Sequence, residues 1–130
     1  MYGSLSWIEW FERLDRVLGD AQQDVTILGR TISGRAVAAL ERSKRQLSAL
    51  TDDLRLLDRS VLAADSRGHP DRADNLQKAL DTAVFRLGAL AEVQGASPAM
   101  RDRALSAIDA ALRDSRYEAA SLLEPRRRSA

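Results

Sequence analysis

A chain of 130 residues is long enough for one domain with its own hydrophobic core. It has no cysteine and one histidine, which excludes disulfide scaffolds, thiolate metal sites, cysteine nucleophiles and multi-histidine metal centres. With 20 basic against 19 acidic residues, bulk charge selects neither nucleic acid nor a membrane surface as partner.

The rest of the composition favours helix. Alanine occurs 21 times and leucine 19 times, against 10 valines and isoleucines together. Ala and Leu lose little freedom in a helix, and the β-branched residues that fill strands are scarce. Arginine outnumbers lysine 18 to 2, a bias expected of GC-rich, bacterial coding. The first 20 residues carry Glu9, Glu12, Asp15 and Asp20 with no unbroken apolar stretch, which argues against a cleavable export signal. No run approaches the roughly 18 apolar residues of a spanning helix. The expected compartment is therefore the cytoplasm, with no membrane role.

In chain order, the clearest pattern comes first. Trp7, Phe11, Leu14, Leu18, Ala21, Val25, Leu28 and Ile32 follow one another by alternating steps of four and three, the spacing of a helical seam. Ser6 with Glu9 forms a capping box, and Leu5 with Trp10 a hydrophobic staple, so a helix is predicted from Ser6. Ser33 is a candidate cap for a second helix, with Ile32 and Val37 as its staple. The apolar seam resumes through Ala36, Leu40, Ser43, Leu47, Leu50, Leu54, Leu57, Val61 and Ala64, offset by one four-residue stutter. The first two helices are thus either a long hairpin, the preferred reading, or one continuous rod of roughly 90 Å.

Ser66-Arg67-Gly68-His69-Pro70 reads as a turn, followed by a third helix with a seam at Leu76, Leu80, Ala83, Leu87 and Leu90. Gly95-Ala96-Ser97-Pro98 repeats the grammar, with Ser97 as cap. The fourth helix is assigned the seam Met100, Ala104, Ile108, Ala111, Leu112, Ala119 and Leu122, ending before Pro125. The expected fold is all-α, an antiparallel up-down-up-down four-helix bundle, because short connections force antiparallel neighbours. Residues 1–124 form one domain on this reading, and 125–130 a disordered basic tail.

Catalytic and metal chemistry find no support in the sequence. No Glu-x-x-His pair exists for a di-iron site, and His69 falls in the predicted turn. No serine stands in a Gly-x-Ser-x-Gly elbow. Gly29 and Gly34 have phosphate-loop spacing, but Arg35-Ala36 stands where such a loop needs Lys and then Ser or Thr. No catalytic residue, metal or cofactor is assigned, and the protein is expected not to be an enzyme.

Two interaction readings follow. Four of the six aromatic residues, Tyr2, Trp7, Trp10 and Phe11, lie in the first eleven positions. Trp7 and Phe11 continue the seam and are expected in the core, whereas Ile8 and Trp10 flank it and are expected to meet another chain. Trp7, Ile8, Trp10 and Phe11 together are the candidate anchor, since buried aromatics dominate interface energetics. Ile27 and Leu56 also point off their seams. The expected role is a structural or adaptor protein, acting by self-association or by docking to a larger complex. The alternative is a nucleic-acid-associated bundle using Arg35, Arg42, Arg45 and the tail residues Arg126, Arg127 and Arg128. Against it, Glu41 and Asp52-Asp53 interrupt the basic field, and pairs such as Asp109 with Arg113 suit a solvated helical face.

Overall fold

A computed structural model describes residues 7–31, 33–56, 71–90 and 95–129, with side chains described except at 7, 71–72 and 123–129. Among these residues the chain forms four helices and no strand: α1 (Trp7–Arg30), α2 (Gly34–Leu56), α3 (Asp71–Leu87) and α4 (Pro98–Ser129). Helix α1 packs along α2 and α4, and α3 packs along the same two, so each helix has two principal neighbours.

The break after α1 is made by local chemistry. Helix α1 closes with Thr31 N–H donating to the Ile27 carbonyl at 3.0 Å. Ser33 then caps α2: its hydroxyl accepts from Ala36 N–H at 3.3 Å, and its carbonyl from Val37 N–H at 3.0 Å. The first satisfies an orphan donor of the opening turn, and the second is the first regular bond of the helix. Helices α1 and α2 are separate and packed on each other, so they do not form one continuous rod. Ser97 does the same for α4, accepting from Met100 N–H at 3.3 Å and Arg101 N–H at 2.8 Å, with Pro98 at the first helical position. The expected Ser6 cap, Ile32 staple, and the 66–70 turn with His69 lie outside the described residues.

One continuous core fills the space between the helices. The seams expected for α1, α2 and α3 are buried at every described position, from Phe11 to Leu28, from Ala36 to Leu54 and from Leu76 to Leu90. In α4 the assigned seam needs correcting. Met100 is 63% exposed, while Leu105 and Ser115 are buried. The assigned Ile108, Ala111, Leu112, Ala119 and Leu122 are buried and Ala104 packs against the core, while Leu105, Ile108, Leu112, Ser115, Ala119 and Leu122 make an unbroken alternation of three and four. The polar Ser115 hides it in the sequence. Its hydroxyl donates to the Ala111 carbonyl at 2.9 Å, so the buried group has a partner inside its own helix, as Thr51 does with Leu47 at 2.7 Å.

The end of α4 is a second correction. The helix continues through 125–129, past the expected stop at Pro125 and through the segment read as a disordered tail. Proline withholds one N–H and crowds the turn before it, yet its fixed φ near −65° is itself a helical value.

Trp10 is a third. It is 1% exposed, and its indole Nε1 donates to the Leu50 carbonyl of α2 at 3.2 Å. Its ring meets Phe11 edge to face, with centroids 5.0 Å apart and planes at 84°. Because α1 has neighbours on two flanks, it buries two interleaved stripes, one through Trp10, Leu14 and Ala21 and one through Phe11, Leu18 and Val25. A single seam describes a helix with one partner. Truncating Trp10 should therefore unfold the protein more easily: Trp10→Ala is expected to lose about 3–5 kcal/mol. Trp10→Phe is expected to lose about 1 kcal/mol for the indole hydrogen bond, plus a packing loss. Urea denaturation followed by circular dichroism reads both, and an unchanged midpoint for Trp10→Ala would place the indole outside the core.

Candidate interaction surfaces

Of the three proposed anchor residues whose side chains are described, the structure keeps one at the surface. Trp10 and Phe11 are core, the side chain of Trp7 is outside the described residues, and Ile8 is 55% exposed. Ile27 and Leu56 are exposed as their off-seam positions require. Phe85, Met100 and Tyr117 join them, so large apolar side chains face water on all four helices. Phe85 carries the strongest signal, at 82% exposure. The sequence held the clue, since Phe85 is two residues from both Ala83 and Leu87 and thus lies far round the helix from their seam.

The arginine reading meets mixed company. Arg35, Arg42 and Arg45 are exposed on α2. Arg42 acts on Asp24 of α1, and the cleft between these helices is lined by Arg13 and Arg16 together with Asp20 and Asp53. Arg126, Arg127 and Arg128 lie in the last turns of the α4 backbone. Interleaved signs make a weak phosphate track, because each carboxylate repels the ligand that the guanidinium attracts. Ion pairs tie the outer faces together: Arg116 of α4 donates to Gln22 Oε1 at 2.7 Å and Asp15 at 3.3 Å of α1, Arg55 of α2 reaches Asp81 of α3, and Arg113 pairs with Asp109 at 2.9 Å. These pairs are largely exposed and orient the helices more than they stabilise them.

A different electrostatic setting occurs where α3 ends. Gly88 N–H is shared between the Val84 and Phe85 carbonyls at 3.2 and 3.1 Å, and Ala89 N–H bonds Arg86 at 3.1 Å, closing the helix in a tight turn. A Cβ on Gly88 would stand 3.1 Å from the Phe85 carbonyl oxygen and, in ordinary contact, 3.6 Å from Lys44 Nζ, which places the lysine beside the negative end of α3. Here α2, α3 and α4 border a groove of about 630 Å³ with Val84, Phe85, Ala89 and Ala104 along it and, among the described residues, Lys44 and Arg86 as its charged lining. No ion pair among the described residues engages either cation.

Among the described residues, no group of three His, Cys, Asp or Glu side chains is placed to hold a metal ion, and no helix is long and apolar enough to cross a membrane. Comparison of the chain with protein families, curated proteins and solved structures finds no match.

Among the described residues one carboxylate is perturbed. Burial pushes Asp24 above the usual aspartate range, neighbouring Asp20 pushes it the same way, and Arg42 opposes both. With the folded pKa raised, the native state binds the extra proton, so the stability linked to Asp24 is present below the unfolded value and lost as pH rises through the folded one. Asp24→Asn is accordingly expected to raise the urea midpoint at pH 7 and to lose that advantage towards pH 3. A midpoint lower than wild type at pH 7 would contradict the assignment.

Proposed function

We propose that the protein is a non-enzymatic helical scaffold or adaptor that works by protein–protein association, either with itself or within a larger complex. The observation that carries this reading is the contrast between a core filled by its own seams and the large apolar side chains left in water on every helix, Phe85 foremost. Monomers expose isolated apolar residues routinely, but an exposed phenylalanine beside an apolar, cation-edged groove is the anatomy of a contact.

In this proposal the helices run up-down-up-down, each antiparallel to its neighbours. Trp10 near the start of α1 meets Leu50 near the end of α2, while Asp24 late in α1 feels Arg42 earlier in α2. Arg55 at the end of α2 reaches Asp81 whereas Lys44, at the middle of α2, lies beside Gly88 just past α3. Val84 to Ala89 share a groove with Ala104 and Ala107 near the start of α4. All three helix pairs thus match late residues with early ones. The arginine-rich, cysteine-free composition suits a bacterial cytoplasm.

The test is the size of the chain in extract from its native host. A tagged chain is expected to migrate well above 14.3 kDa, and a variant carrying Ile8→Ser, Leu56→Ser and Phe85→Ser is expected to migrate as the monomer with its helicity retained. Migration as a monomer in both forms would overturn the proposal. Collapse to the monomer on nuclease treatment, with no response to the triple substitution, would replace it by the nucleic-acid reading.

A further inference from the structure

Opposite its buried stripe, α4 carries a second one. Arg103, Ala107, Ala110, Asp114, Tyr117 and Ser121 follow one another by alternating steps of four and three, so they share one outward face, on which Arg103, Ala110, Asp114 and Tyr117 are exposed. The two halves of this face differ in sign. Arg103 stands in the first half, next to Ala104 and Ala107, which line the groove shared with Phe85 and Arg86 of α3. In the second half Asp114 and Glu118, one turn apart, flank Tyr117, which is 71% exposed. Arg86 and Arg103 have no acid, and Asp114 and Glu118 no base, three or four residues away along their own helices. None of the four enters an ion pair among the described residues. The arginines adjoining Asp114 and Tyr117 are engaged elsewhere, Arg113 with Asp109 and Arg116 with Asp15.

Tyr117 does not reach the groove of its own chain, because the helix between them sets it about 15 Å along the axis from Ala107. A second copy turned end for end removes that distance. With two α4 helices antiparallel and their outward faces together, one register brings Tyr117 of each opposite Ala107 of the other and Asp114 opposite Ala110, so bulk meets small side chains on both sides. The same register sets the acidic half of each face against the cationic half of the other, whereas a parallel pair would oppose like charges. Resting on the association reading above, we propose that the protein is a two-fold dimer in which each copy's Tyr117 fills the other's groove beside Phe85, Ala104 and Ala107, with Asp114 and Glu118 facing Arg86 and Arg103. The contact is isologous, so both copies use the same surface and assembly closes at two. Its charges lie at the surface, so salt weakens it.

Sedimentation velocity of the purified full chain tests this over a concentration series at low and high salt. At low salt the wild type is expected to level off at twice the 14.3 kDa of one chain, and at high salt to shift towards the monomer. Arg86→Glu with Arg103→Glu makes both halves of the face acidic, and Asp114→Lys with Glu118→Lys makes both basic; each double variant is expected to be monomeric where the wild type is dimeric. All four substitutions in one chain invert both sides of the contact and are expected to restore the dimer, which excludes misfolding as the cause of the loss. Tyr117→Ser, which alters only an outward side chain, is expected to be monomeric with its helicity retained. A dimer indifferent to the double variants and to Tyr117→Ser, a quadruple variant that stays monomeric, or a mass that keeps climbing past the dimer overturns this contact while leaving association itself standing. A purified wild type that is monomeric throughout also overturns it, and the size of the chain in host extract then decides separately whether the broader reading survives.

Discussion

The fold depends on burying α1 on two flanks at once. A helix that packs on one neighbour hides a single narrow stripe, and its remaining apolar residues stay in water. Here α1 lies between α2 and α4, and the extra stripe places Trp10 inside, where its indole N–H finds the Leu50 carbonyl. That hydrogen bond ties the beginning of one helix to the end of the next. It also fixes which face of α1 is left outside, and with it the position of Ile8.

The core is economical in size. Ala21, Ala36, Ala73, Ala83, Ala111 and Ala119 alternate with leucines, and Ser43, Thr51 and Ser115 are buried among them. Small side chains let helix axes approach closely, and close packing then supplies dispersion contacts in place of bulk. Buried hydroxyls are tolerated because Thr51 and Ser115 return their protons to their own helices. With the interior filled this way, aromatic bulk such as Phe85 and Tyr117 remains outside. The surface is mostly neutralised by interleaved charge, so the cation-edged groove at the end of α3 stands apart from its surroundings.

Much of this architecture is legible in the sequence. Ser33, Ser97 and Pro98 announce helix starts because capping is a local hydrogen-bond problem solved by one or two side chains. The seams of α1 to α3 are legible because leucines mark them. The α4 stripe is obscured where the polar Ser115 stands in it, and Met100, apolar yet exposed, lies off it. Trp10 is misread because a seam counts one partner, and the number of partners is a tertiary property. The outward placement of Ile8, Ile27 and Leu56 follows from helical geometry alone. The groove does not, since Lys44 on α2 and Ala104 on α4 converge on Phe85 only once three helices are assembled.

The central claim, a bundle in which α1 and α2 run antiparallel and close around one core, is tested most directly by paired spin labels. The chain has no native cysteine, and Ile8, Ile27 and Leu56 are all exposed, so cysteines at these positions take labels without disturbing the interior. The account predicts a short distance for the Ile8→Cys/Leu56→Cys pair and one longer by about 20 Å for the Ile27→Cys/Leu56→Cys pair, given 1.5 Å of rise per residue along α1. The reverse order, or equal distances, would contradict it.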